Sequence, residues 1–244
     1  MKISVVMPVF NTKADYLVES INSVTMQSYP CHELIIVDDG STRAETIETL
    51  KAAKRRSAMG DFPMPVTVIS QKNKKISGAL NTGIRNMTGD WWAGCASDDL
   101  WSPHKLEEQA DFIKTCPEAK VLYCDWVYIN SIGKITGNFT EPEFKTREEA
   151  GRYIINDYFG CWSGMMIHRS VFDTIGLFNE QYPTREDFEM NIRILTRFMM
   201  YRVPKTLFAY RIHEEQLTST NKKEIQEKYR VLARNLAIKY FGEE

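Results

Sequence analysis

Glu33-Leu34-Ile35-Ile36-Val37-Asp38-Asp39-Gly40-Ser41 is the stretch that decides the fold. Its aliphatic part has the length and composition of a strand, and a cluster of turn-forming residues follows at once. Similar apolar runs lie at Ile3–Val9, Val66–Ile69 and Trp91–Cys95. The segments between them carry apolar residues at helical spacing. Tyr16–Met26 has Leu17, Ile21 and Val24 on one face, and Thr42–Arg56, Ile76–Met87 and Pro103–Thr115 follow, the last with Pro103 suited to a first helical turn. Strands alternating with helices at this spacing predict an α/β fold with a mixed, mostly parallel sheet flanked by helices.

Beyond Val121 the pattern changes. Val121–Asn130 and Lys134–Phe139 read as strands around the turn signal Asn130-Ser131-Ile132-Gly133. Arg147–Tyr158 reads as a helix, Trp162–Ile167 as a strand, Asp187–Met199 as an amphipathic helix and Asn221–Tyr240 as a terminal helix. No repeat, low-complexity tract or Pro/Gly-rich linker divides the chain. The expectation is one domain over 1–220, with 1–115 holding one ligand and 116–220 the other, and a helical extension over 221–244.

Composition narrows the classes. The 31 Lys and Arg against 32 Asp and Glu give a net charge of −1, which excludes a broad basic surface for nucleic acid. No apolar run approaches the roughly 18 residues that span a bilayer, and Ile3–Phe10 is too short for a signal peptide. The five cysteines are odd in number and form no CxxC pair, so buried free thiols in a reducing cytoplasm are expected.

Two acidic loops carry the chemistry. Asp38-Asp39-Gly40-Ser41 and Ser97-Asp98-Asp99 each follow an apolar strand, where α/β sheets bind ligands. Neighbouring side chains at a strand end diverge, so one carboxylate of Asp38-Asp39 faces the site. Converging carboxylates suit Mg²⁺ or Mn²⁺ bound to a substrate phosphate. The plainer reading gives these residues turn and helix-terminus roles.

With these loops the chain resembles an inverting, GT-A-type glycosyltransferase of family 2. The matching text is Ser4-Val5-Val6-Met7-Pro8-Val9-Phe10-Asn11, Glu33 to Thr42, Asn73 with Ser77 to Ile84, Gly89-Asp90, Ser97-Asp98-Asp99-Leu100-Trp101, Gly176 to Glu180 and Glu186-Asp187. The resemblance implies a nucleotide-diphosphate sugar donor, most readily a UDP-sugar, and a divalent cation, Mn²⁺ or Mg²⁺. The acceptor it implies is a glycan, a lipid-linked sugar or a surface-polysaccharide precursor. By the same resemblance Pro8 and Phe10 line the nucleotide pocket, Asp39 accepts the uracil imide N–H, Asp98 faces the ribose, Asp99 and His213 hold the metal, and Asp187 is the catalytic base. Ala96 stands where the family often has an acid. Lys75 and Leu80 replace a common glycine and arginine, which shifts the loop's phosphate contacts to Lys74 or Lys75 or leaves a solvated turn.

Asp187 lies three residues after Thr184 at the head of a helix, a spacing close to a capping box. The two roles are compatible, because a helix N-terminus favours the ionised carboxylate that a base needs. Trp162, Tyr182 and Glu186 are placed on the acceptor side, with Tyr153 a further aromatic there. Gln216–Asn221 is small and polar, a loop suited to closing over the donor. The terminal helix is basic and amphipathic, which suits packing on the domain, a homodimer contact, or peripheral attachment at the inner membrane face. A nucleotidyltransferase is disfavoured, because no Gly-rich basic loop follows the first strand. A dinucleotide oxidoreductase is disfavoured because no GxGxxG does. Asp99 and Asp187 together argue against a pseudoenzyme that only binds nucleotide sugars.

Overall fold

The computed structural model describes residues 1–216 and 223–242. Strands β1 (Ile3–Val9), β2 (Glu33–Asp38), β3 (Val66–Ser70) and β4 (Trp91–Gly94) form a parallel set in the order β3-β2-β1-β4. Helices α1 (Ala14–Thr25), α2 (Ala44–Met59) and α3 (Lys75–Asn86) connect them. Each central strand divides its side chains between two cores. Val5, Met7, Leu34 and Ile36 pack on one face, and Val6, Ile35 and Val37 on the other. This two-sided burial is why β1 and β2 read as continuous apolar runs. On the second face α3 lies so close that a Cβ at Gly83 would overlap Val6.

The sheet continues with mixed polarity. β5 (Leu100–Trp101), β6 (Val121–Ile129), β7 (Ile135–Phe139), β8 (Met166–His168) and β9 (Tyr201–Arg211) extend it in the order β4-β8-β6-β9-β5, with β7 on β6. β8 is antiparallel to β4 and β6, and β9 is parallel to β6. Helices α4 (Lys105–Thr115), α5 (Arg147–Asn156), α6 (Arg169–Ile175), α7 (Glu186–Leu195) and α8 (Lys223–Phe241) complete the chain. α8 rests on α5 and α7 with Ala233 and Ala237 buried. Among the described residues no helix is long and apolar enough to cross a membrane.

Several boundaries differ from the sequence reading, each for a local reason. Trp162–Gly164 is a 3-10 turn, and only Met166–His168 is strand. The carbonyls of Ser163 and Gly164 accept from Trp101 Nε1 (3.2 Å) and Gln109 Nε2 (2.9 Å), so side chains take the place of a ladder. Pro103 precedes its helix, which begins at Lys105. The carbonyls of Ser102 and Pro103 are bound by Gln27 Nε2 and the Ser28 N–H. β9 is an eleven-residue strand hidden by Pro204, where its register with β6 jumps from Cys124↔Val203 to Asp125↔Thr206. The short elements β5 and α6 carry no strong sequence period. The five cysteines are free; Cys31, Cys95 and Cys124 are buried, whereas Cys116 and Cys161 are partly exposed.

Candidate active site

The carboxyl ends of β1, β2 and β4 open on one edge of the sheet. β1 and β2 finish level, with Val9 opposite Asp38. Asp38 Oδ1 accepts the Ser41 N–H (2.9 Å), a turn role. Asp39 turns the other way and is buried, with Oδ1 accepting from Gln71 Nε2 (2.7 Å) and the Lys74 N–H (2.8 Å). Its second oxygen accepts from neither. Gly40 sits at φ 78° against the backbone of Asn73, a place closed to a side chain. Asn11 ties the loops together, its Oδ1 accepting from the Thr42 and Arg43 N–H groups. Pro8 is buried inside β1, so it presents no open face to a nucleotide. Phe10, two residues on, is 52% exposed, which rules out a core role for its ring.

At the end of β4 the two aspartates part. Asp98 Oδ2 accepts from His213 Nε2 at 2.9 Å. Asp99 is buried, its Oδ1 accepting the Arg211 N–H at 3.0 Å, with the Ser163 hydroxyl close by. Burial first, and then Asp98, pushes the Asp99 carboxyl well above the usual carboxylate range. Asp99 and His213, expected together on a metal, do not touch here: Asp98 faces the imidazole, and the Arg211 N–H of β9 holds Asp99 inward. His213 Nδ1 is buried without a partner, and its ring lies 5.1 Å from that of Tyr16. Arg211, which sequence reasoning passed over, braces this loop from below. Its Nε donates to the Asp98 carbonyl (2.8 Å), its Nη2 to Glu19 (2.6 Å), and its guanidinium lies over the Tyr16 ring (4.4 Å).

A two-donor metal site fits this geometry. Ligands at about 2.1 Å and right angles stand about 3 Å apart, close to the Asp98–His213 separation, and Mg²⁺-type sites complete their shells with phosphate and water. Among the described residues no group of three or more His, Cys, Asp or Glu side chains is placed to hold a metal.

The 3-10 turn Trp162–Gly164 joins this loop to α7. Trp162 lies across Gly94 of β4, Ser163 Oγ accepts the Ala96 N–H (3.2 Å), and the Trp162 indole borders Glu186. Trp162 is itself buried and offers little open face to a sugar. Glu186 is buried, and burial followed by the charge of Asp187 pushes its carboxyl up to about 8. Asp187 is also raised by burial, but two donors oppose the rise: Tyr158 Oη on Oδ2 (2.6 Å) and the Phe188 N–H on Oδ1 (2.8 Å). Two buried carboxyls side by side do not both ionise easily. The capping-box geometry with Thr184 does not form. The N-cap is Arg185, held at φ 61° with no side-chain cap and with its Nε buried unpaired. Tyr182 packs on Tyr229 of α8 (5.3 Å) and Tyr153 on Phe144 (5.1 Å). Of the expected closing loop Gln216–Asn221, all but Gln216 lies outside the described residues.

The sequence profile described as Glycosyl transferase family 2 matches residues 4–176, and the chain belongs to that family. A glycosyltransferase of Rickettsia typhi is 28% identical over 232 residues, covering 92% of this chain and 68% of its own. One of Rickettsia conorii is 29% identical over 219 residues; the match covers 88% of this chain and only 34% of that one. The putative glycosyltransferase EpsE of Bacillus subtilis is 28% identical over 218 residues, covering 86% and 73%. The chain thus spans between about a third and three quarters of the length of these relatives. The fold is the GT-A fold of Staphylococcus aureus TarS 1–349. Its complex with UDP-GlcNAc superimposes with a TM-score of 0.72 at 20% identity, over 96% of this chain and 66% of that one.

Proposed function

We propose that the chain is a metal-dependent, inverting glycosyltransferase that moves a sugar from a UDP-sugar to a hydroxyl of a glycan, a lipid-linked sugar or a surface-polysaccharide precursor. The observation that carries the reading is the division of labour at one sheet edge. The exposed Phe10 and the buried Asp39 stand at the ends of β1 and β2, the Asp98–His213 pair stands beyond β4, and the Trp162–Gly164 turn joins that loop to the adjoining Glu186 and Asp187 carboxyls of α7. The UDP and UDP-GlcNAc complexes of TarS support a uridine donor.

In this reading the Phe10 ring covers the base, and the second oxygen of Asp39 accepts the imide N–H. Asp98 and His213 would hold the cation, which when bound would supply charge neutralisation for the departing diphosphate. Asp187 takes the proton of the acceptor hydroxyl as that oxygen bonds to the anomeric carbon. The bond from that carbon to the diphosphate breaks on the opposite face, its electron pair leaves with UDP, and the centre inverts. Glu186 stands beside Asp187, its own carboxyl pushed up by burial and by the charge of Asp187.

Titration calorimetry of UDP with Mn²⁺, and again with EDTA, tests the donor half of this reading. Tight binding with Mn²⁺ that is lost with EDTA and in Asp98→Ala supports it. Equal affinity in all three contradicts it. Free nucleotide diphosphate, measured across a panel of nucleotide sugars with Mn²⁺, identifies the donor.

A further inference from the structure

We infer that Tyr158 is a positioning residue for Asp187: its phenol hydrogen bond aims the carboxylate and stabilises its charge. The inference rests on the reading of Asp187 as the base. The bond from Tyr158 Oη to Asp187 Oδ2 is 2.6 Å, the short distance of a charge-assisted hydroxyl–carboxylate contact. The Phe188 N–H holds the other oxygen at 2.8 Å. With one donor on each oxygen the carboxylate plane is fixed, and a lone pair on each remains for an acceptor proton.

The segment that carries Tyr158 is itself clamped to the helix that carries Asp187. Asn191 stands four residues after Asp187, on the same face of α7. Its Nδ2 donates to the carbonyls of Phe159 (2.8 Å) and Gly160 (2.9 Å). Glu141 Oε1 accepts the Gly160 N–H (2.7 Å), and Asp157 Oδ1 accepts the Tyr158 N–H (2.8 Å). The Tyr158 ring meets Phe188 edge-on at 5.9 Å. The hydroxyl is therefore delivered to Asp187 by a loop and a helix locked together at several points.

The charged and titratable groups around Asp187 are Arg185 and Glu186 on its own element and Tyr158 and Cys161 on the facing segment; Asp99 and Glu141 act on Cys161 from behind. Burial, then the charge of Asp187, raises the Tyr158 phenol well above the usual tyrosine range, so it remains a donor throughout the working pH range. Removing that donor leaves Asp187 easier to protonate, and the acid limb of activity moves to higher pH.

The test is a ¹³C carboxyl titration of the full chain, with the Asp187 resonance assigned by its loss in Asp187→Asn. In Tyr158→Phe, which keeps the ring on Phe188, the Asp187 midpoint rises by about one pH unit, the worth of one hydrogen bond to a charged group. An unmoved midpoint overturns the inference. A second measurement needs no variant in the folded state. In wild type the Tyr158 ζ-carbon shows an inflection at the Asp187 midpoint, and its absence also overturns the inference. Failure of the underlying reading looks different: Asp187→Asn then releases nucleotide diphosphate at the wild-type rate from the nucleotide sugar that the wild-type panel identifies, whatever the midpoints do.

Discussion

Replacing Arg211 by Met tests whether β9 braces the acidic loop. The side chain is fully buried, and with it go the bond to the Asp98 carbonyl, the bond to Glu19, the position over Tyr16 and two longer bonds of 3.5 Å from Nη1 to the Asn130 and Ser131 carbonyls. Glu19 is 52% exposed and regains water once released, so that pair counts for little. The Asp98 carbonyl and the ring lose their partner in a dry place, at about 1–3 kcal/mol for the carbonyl and about 1–2 kcal/mol for the ring. Methionine recovers part of this through apolar burial. The net loss is about 2–4 kcal/mol, a fall in Tm of about 5–15 °C for a chain of this size. Differential scanning calorimetry reads the stability, and UDP–Mn²⁺ titration reads the loop. UDP affinity falls as well, because the Asp98 main chain is no longer held. A Tm within about 1 °C of wild type with normal UDP affinity would refute the bracing role. Arg211→Lys keeps the charge without the fork and falls between the two.

Three further outcomes follow from the same geometry. Asp39→Ala weakens UDP binding by about 1–3 kcal/mol, because the imide N–H loses its acceptor; unchanged calorimetric affinity would reduce Asp39 to a turn residue. His213→Ala raises the Mn²⁺ concentration needed for half-maximal UDP binding while leaving the Tm close to wild type, and an unchanged Mn²⁺ requirement would remove His213 from the metal site. Glu141 gives a pH dependence of stability. Burial lifts its carboxyl to about 8, so between its ordinary value of 4.5 and 8 the native state holds a proton that the unfolded chain releases. Stability therefore falls as pH rises through that window, and Glu141→Gln shows a fall smaller by one proton in urea unfolding at pH 5 and pH 8. An identical slope in the variant contradicts the burial argument.

The first half of the fold was legible because β1 to β4 are apolar on both faces and each ends in turn-forming residues. The second half was less so. Pro204 breaks the period of β9, and side-chain donors stand in for the ladder around Trp162. In the candidate site, the family resemblance pointed to Phe10, Asp39, Asp98 and Asp187, each through a motif of a few residues. Which of Asp98 and Asp99 meets His213 could not, because the answer lies in the Arg211 N–H, over a hundred residues away. Tyr158 carries no local signal either: its partner stands 29 residues on, and only the clamp between its loop and α7 brings them together. The Thr184–Asp187 spacing suggested a cap that the backbone turn at Arg185 prevents.

The central claim is that Asp187 is the base of a glycosyl transfer. Its most direct measurement is kcat for UDP release from the donor by Asp187→Asn, with Tm and UDP–Mn²⁺ affinity taken in parallel. Asparagine keeps the volume and accepts the Phe188 N–H but takes up no proton. The account predicts a fall in kcat of about 10²–10⁴-fold with UDP–Mn²⁺ affinity unchanged and the fold intact. Wild-type turnover in that variant would contradict it.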